Sequence, residues 1–263
     1  MLKMMKNTMA SSQAFTIATI RPGALRHGVG RGAKRLSLAL AGGLMCAAWV
    51  SNVAYASSAD TMIKAVKFDD VSEVKKQLAN GGDPNLTDQN GMPILVIAAR
   101  EKSDKVAAVL IADSKTDLEK LDPAGENAMM LAALNGDLDI VKRLISKNAE
   151  VNKKGWAPLH YAATNGHDDV AQLLVDHSAY IDAGSPNGTT PLMMAARGNH
   201  LATVKVLLNA GADPALKNQL GLTALDFAKQ YHAKDVTEAL SARAQSLPST
   251  PGAEPASTQN SAK

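Results

Sequence analysis

The side chains able to do chemistry are few and scattered. His160, His167, His177, His200 and His232 could ligate a metal or carry protons. Asp168-Asp169 and Asp176-His177 set carboxylates beside one another or beside an imidazole, the pairing used in acid/base catalysis. Cys46 is the only cysteine and lies inside an apolar run. Gly81-Gly82 and Gly184-Ser185 lack the lysine and helix context of a phosphate loop. No nucleophile, base and oxyanion arrangement is legible, and the histidines recur at the spacing of a longer pattern instead of converging on a point. The expectation is no catalytic residue, no metal and no cofactor.

That longer pattern is an internal repeat. Gly91, Gly125, Gly155, Gly188 and Gly221 stand at intervals of 34, 30, 33 and 33 residues. Four residues after each come Leu95, Met129, Leu159, Leu192 and Leu225. The pairs Ala98-Ala99, Ala132-Ala133, Ala162-Ala163 and Ala195-Ala196 follow, with Ala228-Lys229 last. Apolar runs at 106–111, 140–145, 170–175 and 204–208 close each unit, and turns such as Gly82-Asp83-Pro84 and Gly211-Ala212-Asp213-Pro214 separate them. Each unit reads as two short amphipathic helices and a turn, with the alanines allowing close helix approach. Asp60, Asn127, Thr190 and Thr223 stand where first helices begin and can accept free backbone N–H groups, whereas Pro93 and Ala157 cannot. No unit can bury its own apolar face, so stability must come from stacking. By this register Asp168-Asp169 and Asp176-His177 fall at helix ends and surface turns, as solvated charge.

These columns resemble the ankyrin repeat, and Pro158-Leu159-His160-Tyr161-Ala162-Ala163 and Thr190-Pro191-Leu192-Met193-Met194-Ala195-Ala196 are close to its signature. The resemblance implies an all-α repeat solenoid of about six helix-turn-helix units with short β-turn fingers. The units fall at about 58–86, 87–120, 121–152, 153–183, 184–216 and 217–243, within a domain spanning 57–243. It also implies that His160 ties its finger to the next helix by hydrogen bonds, and that His167 is structural.

Residues 1–56 hold seven Lys or Arg and no Asp or Glu, which leaves 21 basic against 25 acidic residues in the remainder. A mildly acidic, mixed-charge body with 3% aromatic residues is not a nucleic-acid surface. The basic stretch ending at Lys34-Arg35, the apolar run from Leu36 to Val50 and the small residues Ala54-Tyr55-Ala56 follow the order of a secretory signal peptide cleaved after Ala56. Met45 before Cys46 argues against a lipid anchor, and cleavage leaves a thiol-free chain suited to an oxidising compartment. Residues 244–263, with Pro248, Pro251 and Pro255 among Ser, Thr, Gly and Gln, are expected to be disordered. The reading is a monomeric periplasmic or secreted protein that is free of the membrane after cleavage. It is not an enzyme, and it binds one partner protein of the cell envelope as helper, inhibitor or immunity protein. An uncleaved leader would make it a tethered scaffold instead, and an effector or enzyme built on the repeats would need a further domain.

The resemblance places partner contacts on columns two and one residues before each glycine, one after it, and nine and ten after it. Those columns and their terminal equivalents select Phe68, Met92, Arg100, Glu101, Glu126, Asn135, Lys154, Trp156, Thr164, Asn165, Thr189, Arg197 and Tyr231. Trp156 has two readings: an exposed anchor of the kind that dominates interfaces, or a ring covering a finger three or four residues shorter than its neighbours.

Overall fold

The computed structural model describes residues 58–246, and the leader through Ala56 and the tail beyond Ser246 lie outside it. A helix over 58–67 (α1) is followed by α2 (Val71–Ala79), α3 (Ile94–Glu101), α4 (Asp104–Ala112), α5 (Ala128–Asn135) and α6 (Leu138–Ser146). Then come α7 (Pro158–Asn165), α8 (Asp168–Asp176), α9 (Pro191–Arg197), α10 (Leu201–Asn209), α11 (Ala224–Gln230) and α12 (Lys234–Ser246). These are six helix pairs, one for each of the five units that carry the glycine and one for the unit before them.

Local chemistry sets the helix ends. The side chains of Asn127, Thr190 and Thr223 accept from the backbone N–H of Met130, Met193 and Asp226 and so begin α5, α9 and α11. Pro93 and Ala157 offer no side-chain cap. Asp60 departs from expectation: it lies inside α1, and the first helix begins upstream of it. Gly136 and Gly166 end α5 and α7 at φ 70° and 76°, where a Cβ would also strike a histidine ring of the next unit. α12 runs three residues past Arg243, into the stretch whose composition reads as tail.

First helices pack in one layer (α3 on α5, then α7, α9 and α11), and second helices in another (α2, α4, α6, α8, α10 and α12 in turn). The alanine pairs Ala98-Ala99 through Ala195-Ala196 are buried between adjacent first helices. Val106, Leu110, Ile140, Leu144, Val170, Leu174, Val204 and Leu207 of the second helices are wholly buried between the layers. The core is therefore continuous along the stack and is assembled from residues no single unit could bury.

Four of the five fingers close in the same way. In each, the residue three before the glycine exchanges backbone bonds across the tip. Asp88 N–H donates to the Met92 carbonyl and Gly91 N–H to that of Asp88, with counterparts at Asp122, Ser185 and Asn218. The side chain of that residue then accepts the tip's free N–H groups. Asp88 takes those of Asn90 and Met92, Asp122 those of Ala124 and Glu126, and Asn218 those of Leu220 and Leu222, all within 2.8–3.0 Å. Ser185 Oγ takes that of Thr189 at 3.0 Å.

The fifth finger, residues 147–157, spans 11 residues against 14 or 15 in the others. Among the described residues no such backbone pair closes it. Its Asn152, three before Gly155, reaches instead to the next finger, donating to Ser178 O (2.8 Å) and accepting from Tyr180 N–H (2.8 Å). Similar brackets join the other finger bases. Asn85 accepts from Asp117 N–H, Glu119 from Glu150 N–H, and Asp182 from Asp213 N–H. Within a finger the donor and the next acceptor stand two residues apart: Asp117 and Glu119, Glu150 and Asn152, Tyr180 and Asp182.

Candidate protein-binding surface

The predicted contact residues lie on the fingers and at the C-terminal ends of the first helices, but the structure uses them unequally. Phe68, in the turn after α1, is 82% exposed. Arg100 and Glu101 end α3, exposed, in an ion pair at 3.2 Å. Met92 is half-buried against the core, with its N–H held by Asp88.

In the middle units the same columns are tied into the stack. Asn135 donates its amide to the carbonyls of Ala99 (2.8 Å) and Arg100 (3.2 Å) in the preceding unit. Asn165 does the same to Leu134 O at 2.7 Å, and Thr164 Oγ1 donates to His160 O within its own helix. The Asn135 and Asn165 bonds satisfy carbonyls that the ends of α3 and α5 leave without intrahelical partners. Glu126 accepts the Tyr161 hydroxyl at 2.7 Å. Burial and then the Glu126 carboxylate push the Tyr161 hydroxyl far above its ordinary pKa, so it stays a donor.

Thr189 is a correction. The register places it on the exposed column, yet it is 3% exposed. Its N–H is held by Ser185, and its carbonyl accepts from His160 Nε2 at 3.0 Å. The other nitrogen of that ring, Nδ1, accepts Ala157 N–H at 3.2 Å, which fixes the proton on Nε2. His160 is thus a structural hydrogen-bonding residue, as the resemblance implies, but it links its own helix start to the next finger instead of a finger to the next helix. Burial holds its pKa below the ordinary imidazole value, against the pull of its backbone bonds.

Trp156 is half-buried, edge-on to His160 (5.3 Å between ring centroids, 75°) and to Tyr161 (6.5 Å, 76°). The ring packs where the short finger lacks its hairpin closure. Beside it Lys153 pairs with both Glu119 and Glu150. Burial alone would lower the lysine's pKa, but the two carboxylates outweigh it and hold the ammonium above its usual value. Lys154, the next residue, is exposed.

At the C-terminal end Arg197 is half-buried, with its guanidinium 4.8 Å from the centroid of the Tyr231 ring. Tyr231 stacks on Phe227 (6.3 Å, 21°) and is 46% exposed. Leu220, at the tip of the last finger, is 77% exposed.

His167 and His200, which begin α8 and α10, set Nε2 3.0 Å from the carbonyls of Leu134 and Thr164 in the preceding units. Each is spent on stacking. Among the described residues no group of three or more His, Cys, Asp or Glu is placed to hold a metal ion, and no helix is long and apolar enough to cross a membrane. The residues that sequence reasoning missed are the tip-closing Asp88, Asp122, Ser185 and Asn218. They do form a column, three before each glycine, but its mixed chemistry conceals it.

Known proteins bear on the same region. Residues 62–154 and 106–185 match the family described as ankyrin repeats in three copies, and residues 174–228 match ankyrin repeats in many copies. The mouse nuclear factor NF-kappa-B p105 subunit is 34% identical over 153 residues, covering 56% of this chain and 16% of that protein. The Drosophila melanogaster tyrosine-protein kinase Shark is 32% identical over 162 residues, 60% of this chain and 17% of its own. The ankyrin repeat protein YahD of Escherichia coli strain K12 is 28% identical over 186 residues, 67% of this chain and 92% of its own. This chain thus spans only about a sixth of the length of p105 or Shark. Columns, helix pairs and fingers agree with these matches: the chain belongs to the ankyrin-repeat family, whose repeats form modules of protein–protein interaction.

Proposed function

We propose that this protein is a non-catalytic binding module that holds one partner protein on its finger and first-helix surface. The observation that carries this is the contrast within that surface. Second-helix faces carry ordinary solvated charge, while Phe68, Tyr231 and Leu220 stand exposed on fingers and first-helix ends. Exposed aromatic and arginine side chains on a rigid scaffold are the usual anchors of an interface.

The compartment follows from the leader. The charged, apolar and small-residue order of 1–56 supports export to the periplasm and cleavage after Ala56, which leaves a cysteine-free protein. There it acts as a helper, inhibitor or immunity protein for a cell-envelope partner. The test is a cross-linked capture from the periplasmic fraction, with Arg100→Glu beside Arg143→Glu on the outer layer. One dominant protein, kept by Arg143→Glu and lost by Arg100→Glu, supports the reading. A protein kept by Arg100→Glu and lost by Arg143→Glu would move the contact to the other face. The mass of the periplasmic form tests cleavage separately, and a full-length mass would turn the module into a tethered scaffold.

A further inference from the structure

The contact columns differ in charge along the stack. In units one to three they carry Lys67, Arg100, Glu101 and Glu126, cations and carboxylates in equal number. Arg100 is neutralised by Glu101. In units four to six they carry Lys153, Lys154 and Arg197, and no carboxylate at all. Lys153 is spent on Glu119 and Glu150, whereas Lys154 and Arg197 make no ion pair among the described residues. Asp226, the carboxylate of α11, is occupied by the N–H (2.9 Å) and hydroxyl (2.7 Å) of Thr223.

Arg197 is also posed. Its guanidinium lies over the Tyr231 ring, and Phe227 backs that ring. Stacking on one face immobilises the planar fork while its N–H edge stays available, and a fixed fork binds a carboxylate bidentately with less entropy loss. The exposed Tyr231 supplies apolar surface alongside, and Leu220 adds exposed apolar surface at the tip of the last finger.

We propose that the C-terminal half of this surface is a carboxylate-anchoring site for a polypeptide segment of the partner. An Asp or Glu side chain of the segment, or its terminal carboxylate, pairs with Arg197. A neighbouring apolar or aromatic side chain rests on Tyr231, and Lys154 attracts further acidic residues. This rests on the reading of the protein as a binding module and names the chemistry of what is bound.

The test is selection of short random peptides on the purified protein by surface display. Selected peptides are then synthesised with each acid replaced by its amide. The account expects enrichment of an acid beside an apolar residue and affinity that falls about tenfold or more on acid-to-amide replacement. An equal fall is expected with Arg197→Gln and a smaller one with Tyr231→Leu. Arg143→Gln, on the outer layer, leaves binding unchanged. Peptides that bind with no acid preference, and equally to Arg197→Gln, overturn the carboxylate anchor but leave the binding module standing. Enrichment of nothing over a bare surface overturns the anchor and counts against the module as well. Thermal melting of Arg197→Gln close to the wild-type temperature shows that any loss is not unfolding.

Discussion

The middle of the stack and its C-terminal end use the same sequence columns for opposite purposes. In units three and four the contact columns hold Asn135, Thr164, Asn165 and Glu126, each hydrogen-bonded within the stack, and Trp156 packed on His160 and Tyr161. In units five and six Thr189 is drawn in by His160, and Gln219 bonds to Pro186 and Asn187. Arg197 instead lies on Tyr231 and Leu220 is exposed, and neither of these two side chains hydrogen-bonds to the stack among the described residues. A column therefore defines where a side chain stands but not whether it is available. Availability depends on whether a neighbouring unit leaves a helix end or an open finger to be satisfied. Substitutions in the middle should cost stability, and those at the end should cost binding.

The largest stability effect is expected at His160→Ala. It removes both bonds that join the α7 start to the next finger and leaves a cavity under Trp156, a loss of about 3 kcal/mol by denaturant unfolding. Gly166→Ala comes next, because φ is 76° there and a Cβ would lie 2.3 Å from His200 Nδ1. The left-handed strain alone costs about 1 to 2 kcal/mol, and moving the ring adds to it. Asn165→Ala should cost about 1 kcal/mol through the lost bond to Leu134. Arg197→Gln should cost only about 0.5 kcal/mol, the worth of its exposed cation–π contact with Tyr231. If Asn165→Ala melts with the wild type while Arg197→Gln does not, the division between middle and end is wrong.

Acidity sharpens the same contrast. The folded-state pKa of His160 lies below its ordinary 6.5, so the unfolded chain binds the proton more tightly. Its contribution is intact above that value and is lost as the pH falls below it. Asp104, at the start of α4, behaves oppositely. Burial, then a hydrogen bond and like charge from Asp137, and the charge of Asp69 push it up to about 6 from 3.8. Its stabilising proton is held below that pair of values and lost as pH rises through 6. Asp104→Asn should therefore raise the melting temperature slightly near about pH 7.5 and little near about pH 4, an effect kept small by solvent screening.

Much of this was legible in the residues. The glycine columns placed the finger turns, the alanine pairs placed the helix-to-helix contacts, and Asn127, Thr190 and Thr223 placed three helix starts, all consequences of local steric and capping rules. What stayed hidden depended on the neighbouring unit. Thr189 is drawn inside because His160, 29 residues away, takes its carbonyl. Asp60 looked like a cap because nothing in its own unit shows that α1 begins earlier. The shortness of finger 147–157 was visible, but the loss of its closing bonds and the turn of Asn152 to the next finger were not.

The most direct test is backbone hydrogen exchange on the protein with and without the partner captured from the envelope. The account predicts slowed exchange in the fingers and at the C-terminal ends of α9 and α11, with α4, α6 and α8 unchanged. Protection confined to the second-helix layer would contradict it.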